Sequence, residues 1–198
     1  MNNAKSNPMD GCFIIFQSLM SAVSDFLGTE FETEGAYSGT GAHAYYGCQF
    51  WKNHWKTIDI NFDASDSEWQ SPNYWIHFEP QLELSKSFQV TLKLHYETTP
   101  YRSKSKMKSL VTKSPLNASW IEKYDLAREK FVNALHDELA MIPGCRWNKE
   151  NYYLQLASST VPFGSENMKT YALIIKDRII EISSIIDKLV LDNPVKGV

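Results

Sequence analysis

The chain has 198 residues, of which 43% are hydrophobic and 22% are charged, and its formal net charge is −3. These ordinary globular values exclude a disordered, collagen-like or coiled-coil chain, and the length suits one domain with a sizeable core. The slightly acidic balance gives no overall attraction to nucleic acid or anionic lipid. Cys12, Cys48 and Cys145 lie far apart without a Cys-x-x-Cys motif, which predicts free thiols in a reducing, cytoplasmic compartment.

The N-terminal part of the chain predicts one helix and then a loop. Residues 1–9 are polar and predicted to be disordered, and a helix is predicted from Asp10, a good N-cap, to Gly28, a good C-cap. Its apolar stretch follows an acid and contains no run of 18 apolar residues, so neither a signal peptide nor a membrane span is predicted. Residues 28–49 contain five glycines and predict a loop with one strand around 42–50.

Three segments alternate strictly between apolar and polar residues, at 56–63, 74–79 and 87–97. Such alternation predicts antiparallel strands with one face buried and the other in water. A capping box formed by Ser119 and Glu122 predicts a helix over 119–141, followed by a strand at 152–157 and a long helix over 165–191.

These elements predict a single α+β domain over residues 10–191, with a loose tail at 192–198. We expect an antiparallel sheet of four or five strands packed against two or three helices. The predicted core consists of inward-facing residues of these elements: Ile58, Ile60, Phe62, Ile76, Phe78, Val90, Leu92, Leu94, Phe131, Leu135, Ile175 and Ile182.

Polar side chains share the predicted wet face of the sheet, because residues two apart on a strand point the same way. They are Asp59, Asn61, Asp63, His77, Glu79, Thr91, Lys93, His95 and Glu97. One interpretation is a solvated face whose mixed charge prevents aggregation, and the lack of a metal-binding motif favours it. The alternative is a metal-dependent hydrolase, a diverged nuclease, with Mg²⁺ or Mn²⁺ held by Asp59, Asp63, His77 and Glu79. Lys93 would then face the charge that develops on phosphate.

A basic segment follows the last alternating strand. Arg102, Lys104, Lys106, Lys108 and Lys113 lie in a stretch that contains no acid between Glu97 and Glu122. They predict either sequence-independent contacts to the phosphates of nucleic acid or another polyanion, or a solvated loop.

Tryptophans concentrate around the start of the sheet, at Trp51, Trp55, Trp69 and Trp75. Aromatic side chains dominate protein cores and also the energetic centres of interfaces. The cluster therefore predicts either core packing or a protein-interaction surface.

The order of elements from residue 45 to 190 resembles a known type of domain. The residues that carry the resemblance are Trp75 to Glu79, Val90 to His95 and the segment Cys145-Arg146-Trp147. Together they resemble an uncharacterised bacterial domain that occurs alone or appended to PD-(D/E)XK-type nuclease proteins in defence or mobile-element settings. Threonine, Thr91, stands where the nuclease motif would have its acid, so the resemblance implies a companion or binding domain and assigns no catalytic residue.

The leading functional prediction is a non-enzymatic intracellular binding protein of bacterial or phage origin. The sequence contains no nucleophile motif and no phosphate-binding glycine loop, so no cofactor is expected outside the hydrolase alternative. The expected partner is a protein or nucleoprotein complex in DNA processing, defence or counter-defence. The broad apolar face of the last helix also predicts a homo-oligomer as one option.

Overall fold

The described residues form a six-stranded antiparallel sheet. The computed structural model describes residues 8–39, 44–55, 74–83, 89–98, 131, 133–143, 145–147, 155–162 and 167–192. The strands are β1 Glu32–Gly39, β2 Tyr45–Trp51, β3 Tyr74–Glu83, β4 Gln89–Thr98, β5 Cys145–Trp147 and β6 Gln155–Pro162. Their order across the sheet is β1-β2-β3-β4-β6-β5, so the first four form a meander. The α+β class is confirmed, although the sheet has six strands where four or five were expected.

Three α-helices are described besides the sheet. They are α1 at Pro8–Leu27, α2 at residues 131 and 133–139, and α3 at Met168–Asp192. The helix α1 ends at Gly28, as predicted, and the positive φ of 69° at this residue is a conformation that glycine adopts easily. It begins two residues earlier than expected, since proline is tolerated in a first helical turn. The prediction of disorder is therefore wrong for residues 8 and 9.

The core lies between one face of the sheet and the helices α1 and α3, which pack against each other. The rings of Phe13 and Phe16 on α1 contact the ring of Tyr46 on β2. On α3, the hydroxyl of Tyr171 hydrogen-bonds the backbone of Val90 on β4. Nine predicted core residues are buried: Ile76, Phe78, Val90, Leu92, Leu94, Phe131, Leu135, Ile175 and Ile182. The predictions for Ile58, Ile60 and Phe62 lie outside the described residues.

Two strands were not predicted. Residues 32–39 were expected to form a loop but form the edge strand β1, most of whose side chains are exposed. Backbone pairing with β2 holds this strand in place. Because that pairing does not require apolar side chains, the sequence of β1 needs no apolar alternation and shows none. The other is β5, which has only three residues. The strand expected at 152–157 is found at Gln155–Pro162.

Among the residues that the structure describes, the segment Gly11–Glu30 is long and apolar enough to cross a membrane by length and composition, with a mean hydropathy of 1.4. Its inner side chains Phe16, Leu19 and Val23 are buried in the core. The absence of a membrane span stays a prediction.

Candidate metal site on the second face of the sheet

The face of β3 and β4 that was predicted to be wet is buried at its centre. The exposed fractions are 0% for His77, 4% for Glu79, 4% for Gln81 and 5% for His95. The prediction of a solvated face is therefore wrong for His77, Glu79 and His95. Alternation identifies the residues that share a face, but it carries no information about what covers that face.

Three potential metal ligands meet on this buried face. His77 and His95 are directly opposite each other in the register of β3 and β4, and Glu79 is two residues further along the same face. The imidazole rings lie with their centroids 5.1 Å apart and nearly perpendicular. One ligand atom from each of the three side chains lies within 4.8 Å of the other two. Within the part of the chain that the structure describes, this is the one such group of His, Cys, Asp and Glu.

The two oxygens of the Glu79 carboxylate have different partners. Oε2 lies 2.7 Å from Nδ1 of His95. Oε1 accepts a hydrogen bond of 2.5 Å from the hydroxyl of Tyr37 and one of 2.6 Å from Nε2 of Gln81. Oε1 therefore accepts two hydrogen bonds and Oε2 faces the imidazole of His95, so both oxygens of this buried carboxylate have polar partners.

Tyr37 reaches Glu79 from two strands away. An irregularity in the pairing of β1 with β2, between Glu34 and Tyr37, brings Tyr37 opposite Gly47. Gly47 in turn pairs with Gln81, so Tyr37 points to the same face as Glu79. A Cβ atom at Gly47 would lie 2.7 Å from Cζ and 2.8 Å from Oη of Tyr37. The tyrosine ring therefore crosses β2 directly over the glycine.

These contacts decide the charge state of the site. Burial by itself raises the pKa of Glu79. The hydrogen bond and the charge of His95, together with the hydrogen bonds from Tyr37 and Gln81, outweigh burial and lower this pKa to about 2. Burial and the neighbouring carboxylate raise the pKa of Tyr37 well above its usual range. At neutral pH the carboxylate is ionised and the phenol keeps the proton that it donates.

The other residues of the predicted hydrolase site are only partly described. Lys93 is half-buried and lies opposite Glu79 in the register of β3 and β4. Asp59 and Asp63 lie outside the described residues, so their convergence with Glu79 stays a prediction. The basic segment with Arg102, Lys104, Lys106, Lys108 and Lys113 also lies outside them.

The tryptophans proposed as an interaction surface have different environments. Trp55 is 0% exposed, and its ring packs against Phe31 and Phe78. For this residue the burial favours core packing, the first of the two alternatives that the sequence left open. Trp51 is half-buried. Trp69 and the side chain of Trp75 lie outside the described part of the chain.

Comparisons with protein-family models, curated proteins and solved structures find no match to this chain. The resemblance to a domain of nuclease-associated proteins stays a prediction.

Two of the three clustered side chains, His77 and Glu79, are among the ligands predicted from the sequence. The sequence also placed His95 on the same face, but His95 was left out of the predicted ligand set. The signal that could have found His95 is a His-x-Glu pair on one strand with a histidine on the next strand of a meander. Tyr37 and Gln81 were missed, and Tyr37 gave no signal because its segment was expected to be a loop.

Proposed function

We propose that this protein binds one divalent transition-metal ion through His77, Glu79 and His95. The observation that supports the proposal is the meeting of two imidazoles and one carboxylate, all at most 5% exposed, with ligand atoms within 4.8 Å of one another. Ligand atoms bound to one such ion at about 2.0–2.2 Å lie roughly 3–3.5 Å apart. Metal binding would therefore require those ligand atoms that are now farther apart than this to approach one another.

The donor set changes the expected metal. Imidazole ligands suit zinc, iron, copper and nickel, whereas Mg²⁺ prefers oxygen ligands and keeps several waters. Two imidazoles in a buried site therefore favour Zn²⁺ or Fe²⁺ over the Mg²⁺ of the hydrolase hypothesis. A zinc or iron ion with three protein ligands supplies Lewis acidity and an activated water. The proposal thus keeps His77 and Glu79 as ligands from the hydrolase hypothesis. It replaces Asp59 and Asp63 with His95.

The experiment measures metal binding to the full chain after removal of any affinity tag and treatment with chelator. Zn²⁺ titration followed by calorimetry and elemental analysis should give one bound ion per chain. The variants His77→Ala, His95→Ala and Glu79→Gln should each lose this stoichiometric binding. His136→Ala is the matched control, because His136 lies on the partly exposed surface of α2, outside the cluster, and should bind like the wild type.

Thermal unfolding separates a metal site from a purely structural hydrogen-bonded cluster. Zn²⁺ at a hundred times its dissociation constant should stabilise the wild type by about 2.7 kcal/mol and should leave the ligand variants unchanged. Circular dichroism of the metal-free variants shows whether they are folded. If the wild type and the folded His95→Ala variant bind Zn²⁺ equally, the proposal is refuted.

The earlier hypothesis of a binding protein with a protein or nucleoprotein partner stays a prediction. Its basic segment lies outside the described residues, and one of its tryptophans, Trp55, belongs to the core.

A further inference from the structure

We infer that Tyr37 is a positioning residue for the metal ligand Glu79, an inference that rests on the proposed metal site. The hydroxyl of Tyr37 and the side-chain amide of Gln81 both donate to Oε1 of the carboxylate. These two donors fix the rotation of the carboxylate and direct Oε2 towards His95. Glu79 then binds the ion through one oxygen, Oε2, while Oε1 stays with its two donors.

Two separate features of the sheet allow this contact. The irregularity between Glu34 and Tyr37 turns the tyrosine to the ligand face, because a shift by one residue reverses the face of every following side chain. Gly47 leaves the space through which the ring passes. The hydroxyl then lies 2.5 Å from an oxygen of a residue 42 positions away in the chain.

Hydrogen bonds to a metal-bound carboxylate set its orientation and its strength as a ligand, and their loss typically weakens metal binding. Tyr37→Phe keeps the ring over Gly47 and removes only the hydroxyl. Gly47→Ala keeps the hydroxyl and moves it, because the added methyl group occupies the position of the ring end. The two variants disturb the same hydrogen bond by different means, so they should give the same result.

The test uses Co²⁺ as the probe, since its visible absorption reports the number and arrangement of its ligands. Both Tyr37→Phe and Gly47→Ala should bind Co²⁺ about 10- to 100-fold more weakly than the wild type. Both should also change the shape of its absorption bands, a readout that a merely structural tyrosine would not move.

Matched controls are available outside the irregularity of β1. Tyr45→Phe removes a hydroxyl from the neighbouring ring, whose centroid is 6.4 Å from that of Tyr37. Gly11→Ala adds a methyl group in α1 where nothing lies within 4 Å. Neither control should change the affinity for Co²⁺ by more than about twofold or alter the spectrum.

The outcomes distinguish this inference from the proposed function. If the wild type binds no Co²⁺, the metal site itself fails and the inference falls with it. If the wild type binds Co²⁺ and Tyr37→Phe gives the same affinity and spectrum, the metal site stands and the positioning role is refuted. If metal-free Tyr37→Phe does not fold, folded Gly47→Ala decides, and an unchanged Co²⁺ affinity and spectrum in that variant would refute the positioning role.

Discussion

The indole Nε1 of Trp55 donates a 2.7 Å hydrogen bond to Oδ1 of Asp187, 132 residues further along the chain. The same carboxylate lies 2.7 Å from Nε2 of His54 and accepts a 2.7 Å hydrogen bond from Nζ of Lys52. The ammonium group of Lys52 also lies over the ring of Phe31. Asp187 on α3 thus holds the short helical turn Asn53–Trp55, which follows β2 in the chain.

Removal of the Asp187 carboxylate should destabilise the protein. In Asp187→Ala, the indole N–H of a fully buried tryptophan loses its acceptor, and we expect a loss of about 1–3 kcal/mol in the free energy of unfolding. Urea denaturation followed by tryptophan fluorescence measures the change. Asp177→Asn, an exposed position on the same helix, should change stability by less than about 0.5 kcal/mol. Equal effects of the two substitutions would contradict the role of Asp187.

The contribution of Asp187 to the free energy of unfolding should decrease at low pH. Burial raises the pKa of this carboxyl, but the hydrogen bonds from Lys52, Trp55 and His54 outweigh burial and hold the pKa below its ordinary value of 3.8. Because the pKa is lower in the folded state, the stabilisation is complete above 3.8 and is lost as the pH falls below it.

The comparison of the wild type with Asp187→Asn tests this direction, since both proteins keep Lys52 and His54. The difference in their free energies of unfolding should be largest above the ordinary pKa of 3.8 and should shrink steadily at lower pH. A difference that stays constant across this range would show that the charge of Asp187 contributes nothing.

Phe78 should be among the most costly positions to truncate in the described core. Its side chain is fully buried, it lies opposite Phe50 and Leu94 in the sheet, and its ring packs against Trp55. We expect Phe78→Ala to lower the free energy of unfolding by about 3–5 kcal/mol through lost burial and the cavity left behind. Chemical denaturation measures the loss. Ile14→Ala, at a side chain that is 60% exposed, provides the control and should have little effect.

Cys48 should resist alkylation in the native protein. Burial raises the pKa of its thiol to about 11, although hydrogen bonds with Thr33 and Gln49 act in the opposite direction. Because the thiolate is the reactive form, a buried thiol with a raised pKa reacts slowly. Labelling with iodoacetamide followed by peptide mass spectrometry should modify Cys12, which is partly exposed, well before Cys48. Rapid labelling of Cys48 in folded protein would contradict its burial.

The parts of the fold that the sequence predicted are those in which local pattern and tertiary environment agree. Ile76, Phe78, Leu92 and Leu94 alternate with polar residues and are buried as expected. The glycine after α1 ends that helix as expected. In these cases the period of the apolar residues already defines the buried surface. The edge strand β1 lacks such a period, because pairing with β2 through the backbone requires no particular side chains.

The candidate site shows the same division. The sequence by itself determined that His77, Glu79 and His95 share one face of the sheet, because side chains on a strand alternate with a period of two. Only the tertiary structure decided that this face is buried and that His95 lies opposite His77. It also decided that a shifted register and a glycine let Tyr37 reach Glu79. Register, burial and the path of a ring across a neighbouring strand depend on residues far apart in the chain, and no local pattern contains that information.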